Sequence, residues 1–176
     1  MAEPIPVPRP HPATLDADTL LRSCEVGKGR AGGPGGQHRN KVETLVIIRH
    51  LPTGLEAHAG ERRSAEENRR QAVFRLRLRL ALESRAPVPL GEVRSDLWRS
   101  RCDRRGRLAC NPEHEDYPAM LAEALDVIWA CALDVKKASL RLCCTPSQLV
   151  GLLADHPAAL AHLNRARADA NLGPLR

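Results

Sequence analysis

With 176 residues, the chain has room for one domain of ordinary size, or for a small domain with an appendage. Hydrophobic residues are 43%, enough for a core, but Phe74, Trp98, Tyr117 and Trp129 are the whole aromatic inventory, which argues against gripping single strands with rows of stacking rings. Lys and Arg (27) outnumber Asp and Glu (21), and the resulting +6 favours polyanionic partners such as nucleic acid.

Residues 1–14 alternate Pro4, Pro6, Pro8, Pro10 and Pro12 with small or polar residues, the pattern of an extended, mobile leader. No N-terminal apolar run resembles a signal peptide, and no stretch approaches the roughly eighteen residues needed to span a bilayer. A cytoplasmic, reduced chain is expected, with its six cysteines as free thiols. Asp16 is placed to cap a short helix running to about Cys24, with Leu20 and Leu21 turned inward.

Glu25 to Gln37 reads as a glycine-rich loop. Within it, Gly32, Gly33, Pro34, Gly35 and Gly36 exclude the interior of a helix or strand, since glycine carries a large backbone entropy cost and proline removes a donor. Such a run approaches something closely or adopts positive φ. Arg30, Arg39 and Lys41 flank it with positive charge, so an anionic object is expected. At the apex stands Gly35-Gly36-Gln37, which taken alone reads as a flexible surface turn.

Thr44 to His50 is β-branched and apolar enough for a strand, Pro52-Thr53-Gly54 is turn chemistry, and Leu55 to Ala59 alternates as the return strand. His50 and His58 are structural on this reading. Phe74 to Leu80 also alternates, apolar with arginine. However, Ser64-Ala65-Glu66-Glu67 is a capping box, and some twenty residues follow it without Gly or Pro. Ala72, Leu76 and Leu80 keep helical spacing, as does the Glu66–Arg70 pair. A helix over about 64–84 is therefore expected.

Pro87 and Pro89 make 86–90 the candidate linker. Arg94, Arg99, Arg101, Arg104, Arg105 and Arg107 then cluster around Trp98, either as a solvated charged face or as an RNA-phosphate surface. Cys102, Cys110 and His114 fit no common zinc spacing and lack a fourth ligand, so no metal is expected. Pro118 suits the first turn of an apolar helix with Leu121, Leu125, Ile128 and Ala132 as its buried stripe. A helix over 135–143, another capped at Thr145, and a last one from Pro157, ended by Gly173 and Pro174, complete a helical unit.

Set in order, the first half reads Arg-Ala-Gly-Gly-Pro-Gly-Gly-Gln-His-x-Asn-Lys-Val-Glu-Thr over 30–44, then Pro52-Thr53-Gly54, then Arg63-Ser64-x-x-x-Asn68-Arg69-x-x-Ala72. This resembles the Gly-Gly-Gln catalytic domain of class I peptide chain release factors and of the related ribosome-rescue hydrolases, over roughly residues 15–85. With the elements read above, the fold expected is α+β: a small β-sheet with a long packed helix carrying a Gly-Gly-Gln loop, followed by an α-helical C-terminal region. The resemblance makes 15–85 the catalytic domain, between the leader over 1–14 and the linker over 86–90 read from the proline pattern, with the helical region over 91–176 after them. It also implies hydrolysis of the peptidyl-tRNA ester in the peptidyl transferase centre, with Gly35, Gly36 and Gln37 catalytic and no cofactor. Arg30, Arg39, Lys41, Arg63 and Arg69 would contact rRNA of the large subunit. The expected partners are the ribosome and peptidyl-tRNA, the protein acting as a monomer without a membrane.

Two departures from the family stand out. Ala65 follows the serine where relatives often carry Gln, and the 176 residues include neither a codon-reading domain nor a long basic tail. Codon-independent rescue of stalled ribosomes is therefore expected. The alternative is a non-catalytic ribosome- or RNA-binding factor working through the arginine-rich segment, and hydrolysis off the ribosome is disfavoured because the loop offers no base of its own.

Overall fold

Period-two burial organises the first half. Val46, Ile48 and His50 are buried on one face of a strand, with exposed or half-exposed residues between them. The computed structural model describes residues 3–29 and 44–176. In it, β1 (Ile5–Pro6) precedes a 3-10 turn (Pro12–Thr14) and α1 (Ala17–Leu21), followed by β2 (Cys24–Gly29), β3 (Leu45–His50) and β4 (Glu56–Ala59). The long helix α2 (Ala65–Glu83) runs into β5 (Ser84–Arg85). Then come α3 (Asp96–Arg101), α4 (Tyr117–Ala130), α5 (Val135–Arg141), α6 (Pro146–Ala154) and α7 (Pro157–Asp169).

The expected hairpin is present. Ile48 stands opposite Ala57 and Val46 opposite Ala59, and Gly54 takes φ 71° in the turn, as only glycine does without strain. Leu55, Ala57 and Ala59 are all buried, as the alternation predicts. The start of the expected glycine-rich loop is corrected, because Cys24–Gly29 forms β2, antiparallel to β3 in the order β2-β3-β4. Glycines at 27 and 29 concealed it. An edge strand tolerates glycine, since its order comes from the ladder to β3 and not from side-chain packing.

Helix α2 covers this sheet, and the helix reading of 74–80 holds. Ser64 accepts from Glu67 N, and Ala72, Leu76 and Leu80 are fully buried. The arginines that gave the stretch its strand-like alternation reach sideways to backbone carbonyls. Arg75 donates to His58 O at 2.8 Å and Arg79 to Glu56 O at 2.6 Å, along β4, while Arg77 donates to Ala13 O at 2.8 Å and Glu115 O at 2.9 Å. Arg75 and Arg79 also pair with Glu61 at 2.7 Å and Glu83 at 2.8 Å, so a guanidinium's several donors serve a carbonyl and a carboxylate together.

The leader expected to be mobile is docked. β1 pairs in parallel with β5, Val7 N donates to Arg85 O at 3.0 Å, and Val7, His11 and Ala13 are buried. His11 Nδ1 accepts from Ala13 N at 3.0 Å, so the ring proton is on Nε2, which faces Ser84 O at 3.4 Å. Prolines that cannot join a central ladder can still carry an edge pair, provided the donors between them are used.

Helix α4 is buried on nearly every side and packs against both α2 and α5. Around it, Trp98 on α3 is fully buried and donates from Nε1 to Leu142 O at 2.9 Å, and Tyr117 donates from its hydroxyl to Leu152 O at 2.7 Å. Helix α3 was not expected. Its arginines masked a Ser95-capped turn whose one inward residue is Trp98. Two expected boundaries also shift. Ala132 lies past α4 with φ 53°, off the buried stripe. Helix α7 ends at Asp169 and is capped through Ala170 by Asn171, which takes φ 57° while Leu172 N donates to Arg167 O at 2.8 Å, so asparagine supplies the left-handed cap expected of Gly173. The buried apolar cluster is continuous from Ala13 to Leu163. The 86–90 stretch is tied to it where Ala86 N donates to Asp126 Oδ1 at 3.1 Å.

Candidate functional site

Of the residues assigned a role from sequence, Gly35, Gly36, Gln37, Arg30, Arg39 and Lys41 lie outside the described residues. What surrounds them in the chain is described. The backbone leaves the sheet at Gly29 and re-enters at Leu45, and these two residues stand opposite each other in the β2–β3 ladder. Gly29 is held close there: a Cβ on it would sit 3.2 Å from Leu45 Cδ2. The two ends of the Gly-Gly-Gln segment are thus anchored to neighbouring strands of one sheet.

A second anchor comes from a residue whose role the sequence reading missed. Asn68, fully buried in the second turn of α2, donates from Nδ2 to Thr44 O at 2.7 Å and to Arg62 O at 2.9 Å, and its Oδ1 accepts from Arg62 N at 2.9 Å. One amide therefore holds the residue preceding β3 and the approach to α2 together. Both donors and the carbonyl are used, which accounts for asparagine here, since aspartate would lack the donors. Its appearance among the motif residues was the available signal, but only the tertiary contacts supply the reason.

Arg63 and Arg69 lie at the same end of α2 as Asn68, and both side chains are exposed. Arg69 is 3.9 Å from Glu66, which is also 3.4 Å from Arg70. Such exposed pairs are weak and leave the guanidiniums available to a stronger anion. Lys28 on β2 and Arg49 on β3 are exposed as well.

His50 is buried at the far end of β3 from the segment, with Nδ1 2.8 Å from Thr53 Oγ1, and burial lowers its pKa. It closes the hairpin turn, while His58 is exposed on β4. Cys102 Sγ approaches Cys143 O at 3.5 Å, and His114 pairs with Asp116 at 3.4 Å. Among the described residues, no group of three or more His, Cys, Asp or Glu is placed to hold a metal ion, and no helix is long and apolar enough to cross a membrane.

A three-stranded antiparallel sheet covered by a capped long helix, with a Gly-Gly-Gln segment joining its first two strands, defines a release-factor-like domain. Residues 21–96 match the RF-1 domain family. Over 84 residues the chain is 39% identical to peptide chain release factor 1 of Acidiphilium cryptum, covering 48% of this chain and 24% of that protein. Over 74 residues it is 44% identical to the chloroplastic peptide chain release factor PrfB1 of Arabidopsis thaliana, covering 41% and 16%. Over 66 residues it is 41% identical to peptide chain release factor 2 of Buchnera aphidicola, covering 38% and 18%. The chain thus spans a quarter or less of the length of these relatives. Across residues 21–96 the chain therefore carries a release-factor-like domain.

Proposed function

We propose that this protein hydrolyses the ester joining a nascent peptide to tRNA, inside the peptidyl transferase centre of the large ribosomal subunit, without reading a stop codon, and so rescues stalled ribosomes. It acts in the cytoplasm as a monomer, with residues 15–85 as the catalytic unit and 91–176 providing recognition. The observation that carries the reading is the RF-1 match across 21–96, which contains an intact Gly35-Gly36-Gln37 within its longer motif. The anchoring of both ends of that segment, through the Gly29–Leu45 pairing and the Asn68 clamp, supports it.

In this mechanism a water attacks the ester carbonyl carbon, the bond to the tRNA 3′-oxygen breaks, and the proton ends on that oxygen. The backbone N–H of Gln37 stabilises the developing oxyanion or the departing 3′-oxygen, a contribution of about 2.7–4 kcal/mol, or roughly 10²–10³ in rate. Gly35 and Gly36 let the main chain approach packed RNA closely, and the Gln37 side chain lines the water site and excludes larger nucleophiles. Arg30, Arg39, Lys41, Arg63 and Arg69 hold rRNA phosphates as salt-sensitive positioning contacts. Codon independence draws support from the character of residues 91–176. Their helices commit the Trp98 and Tyr117 rings to the core, where neither can stack on a base.

The test is release of labelled peptide from stalled ribosomes. Gln37→Pro, which lacks the N–H, abolishes release, while Gln37→Ala, which keeps it, retains a part. Equal loss in both would refute the backbone-donor mechanism, and undiminished release by Gln37→Pro would refute the catalytic assignment.

A further inference from the structure

The six arginines of 94–107 do not form one surface; neighbouring side chains divide them. Arg94 makes a two-pronged pair with Glu92, Nε to Oε1 at 2.9 Å and Nη2 to Oε2 at 2.7 Å. Arg99 is bound to Asp96, and Arg101 to Asp116 at 2.5 Å. Each of these three has a carboxylate partner in this chain that an incoming phosphate would have to displace. Arg104, Arg105 and Arg107 are exposed, and no carboxylate among the described residues lies within ion-pair distance of them.

The loop that carries them is a rigid hairpin tip. Asp103 N donates to Arg107 O and Gly106 N to Asp103 O, both at 3.0 Å, and Cys102 bridges to Leu108. The Asp103 carboxylate folds back: Oδ1 accepts from Arg105 N at 2.8 Å and from Arg107 N at 3.0 Å, so the one acid in the tip is engaged with its own backbone. Gly106 takes φ 73° and is pressed against the α5–α6 junction, where a Cβ would come 3.1 Å from Cys144 Cα. Leu108 N donates to Gln148 Oε1 on α6 at 3.0 Å. The tip is therefore fixed to the helical unit by backbone and side-chain contacts on both sides.

We infer that this tip, Asp103 to Arg107, grips the phosphodiester backbone of structured ribosomal RNA and is the recognition element of residues 91–176. Guanidinium groups present planar, two-pronged donors that suit phosphate oxygens. Protein interfaces form around apolar anchors, whereas Asp103-Arg104-Arg105-Gly106-Arg107 contains none, so an RNA backbone fits better than an acidic protein. Phosphate contacts position a protein without reading sequence, which suits a factor that recognises the ribosome and not a codon. The identity of the RNA rests on the proposed function above; the anion-gripping tip itself does not.

The test measures binding to purified large ribosomal subunits, and to their RNA freed of protein, across a salt series. Three phosphate contacts contribute about 2.7 to the slope of log affinity against log salt, so replacing Arg104, Arg105 and Arg107 together by Gln removes about 40-fold of the wild-type weakening between about 50 and 200 mM salt. The triple Arg→Lys variant keeps the slope, and Arg94→Gln with Arg99→Gln leaves it within about one unit of wild type. Circular dichroism of the triple Gln variant retains the wild-type spectrum and melting profile, because the three side chains are exposed and hold no hydrogen bond or ion pair among the described residues. An unchanged slope and affinity in that variant would overturn the inference, as would a loss seen on intact subunits but not on the bare RNA, which would place the contact on a ribosomal protein. If the wild type binds RNA through this tip yet releases no peptide, the inference stands and the hydrolase assignment falls. If it releases peptide, and the triple Gln variant does so with the same half-saturating concentration and salt dependence, the reverse holds.

Discussion

Asn68→Ala tests whether the base of the Gly-Gly-Gln segment is held as the geometry indicates. The substitution deletes two donors and one acceptor in a fully buried position, and leaves Thr44 O, Arg62 O and Arg62 N without this partner. At roughly 1 kcal/mol for each hydrogen bond lost, and more wherever water does not take the vacated place, the cost is about 3 kcal/mol. For a chain of this size that lowers Tm by about 6–12 °C. Asn68→Asp keeps the acceptor for Arg62 N but turns a carboxylate toward two carbonyl oxygens, so it destabilises at least as much. Far-UV circular dichroism measures the melting, and peptide release is followed well below the variant's Tm, where the chain is folded. Because Thr44 adjoins the strand that receives the segment, release falls even there. A Tm within about 2 °C of wild type would refute the energetic argument. Wild-type release by the folded variant would refute the positioning role.

Other substitutions probe the scaffold. His11 and Asp126 both line a cleft of about 340 Å³ between the leader and α4, and their titrations oppose one another. Burial lowers the His11 pKa from 6.5 to about 4, so the unfolded chain binds that proton more readily, and the stability present above pH 6.5 is lost as pH falls toward 4. Burial raises the Asp126 pKa from 3.8 to about 7 against the Ala86 hydrogen bond and the Arg85 and Arg9 charges, so its contribution is fully present below pH 3.8 and lost as pH rises through 7. These effects are on the order of 3–4 kcal/mol, so Asp126→Asn raises Tm at pH 8 but not at pH 4, and His11→Gln flattens the loss on the acid side. A parallel shift at all pH values in thermal melts would contradict both assignments. Trp98→Phe orphans the Leu142 carbonyl and costs about 1–3 kcal/mol in denaturant unfolding, whereas no change would mean that water replaces the indole N–H. Gly106→Ala forces a left-handed conformation costing about 1–2 kcal/mol and drives a methyl onto the Cys144 backbone, so urea unfolding shifts to lower midpoint. Ser64→Ala removes the acceptor for Glu67 N and costs about 1 kcal/mol, read as a Tm lowered by about 2–4 °C.

Elements whose pattern and punctuation agree were legible in the sequence. The Ser64 cap and the Ala72–Leu76–Leu80 stripe located α2, although arginine alternation pointed the other way across 74–80. The Thr53–Gly54 turn and the Leu55–Ala57–Ala59 alternation located the hairpin. Elements stabilised by a partner distant in sequence were not legible. β2 exists through its ladder to β3, the leader is held by Arg85 some eighty positions on, and α3 is anchored by one tryptophan reaching Leu142. For the candidate site, the motif points to Gly35, Gly36 and Gln37, whereas nothing local gives Asn68 a role, because its hydrogen bonds span 24 and 6 positions.

Local chemistry therefore specified what local chemistry controls: helix starts where a side-chain oxygen meets orphan N–H groups, and turns where glycine accepts positive φ. Folding in three dimensions decided how charge was allotted. Six arginines alike in sequence became three paired with Glu92, Asp96 and Asp116 and three facing solvent on a braced turn without a carboxylate partner among the described residues. Ion pairing depends on distances of a few ångströms between residues whose order along the chain does not reveal their approach, so that division exists only in the folded protein.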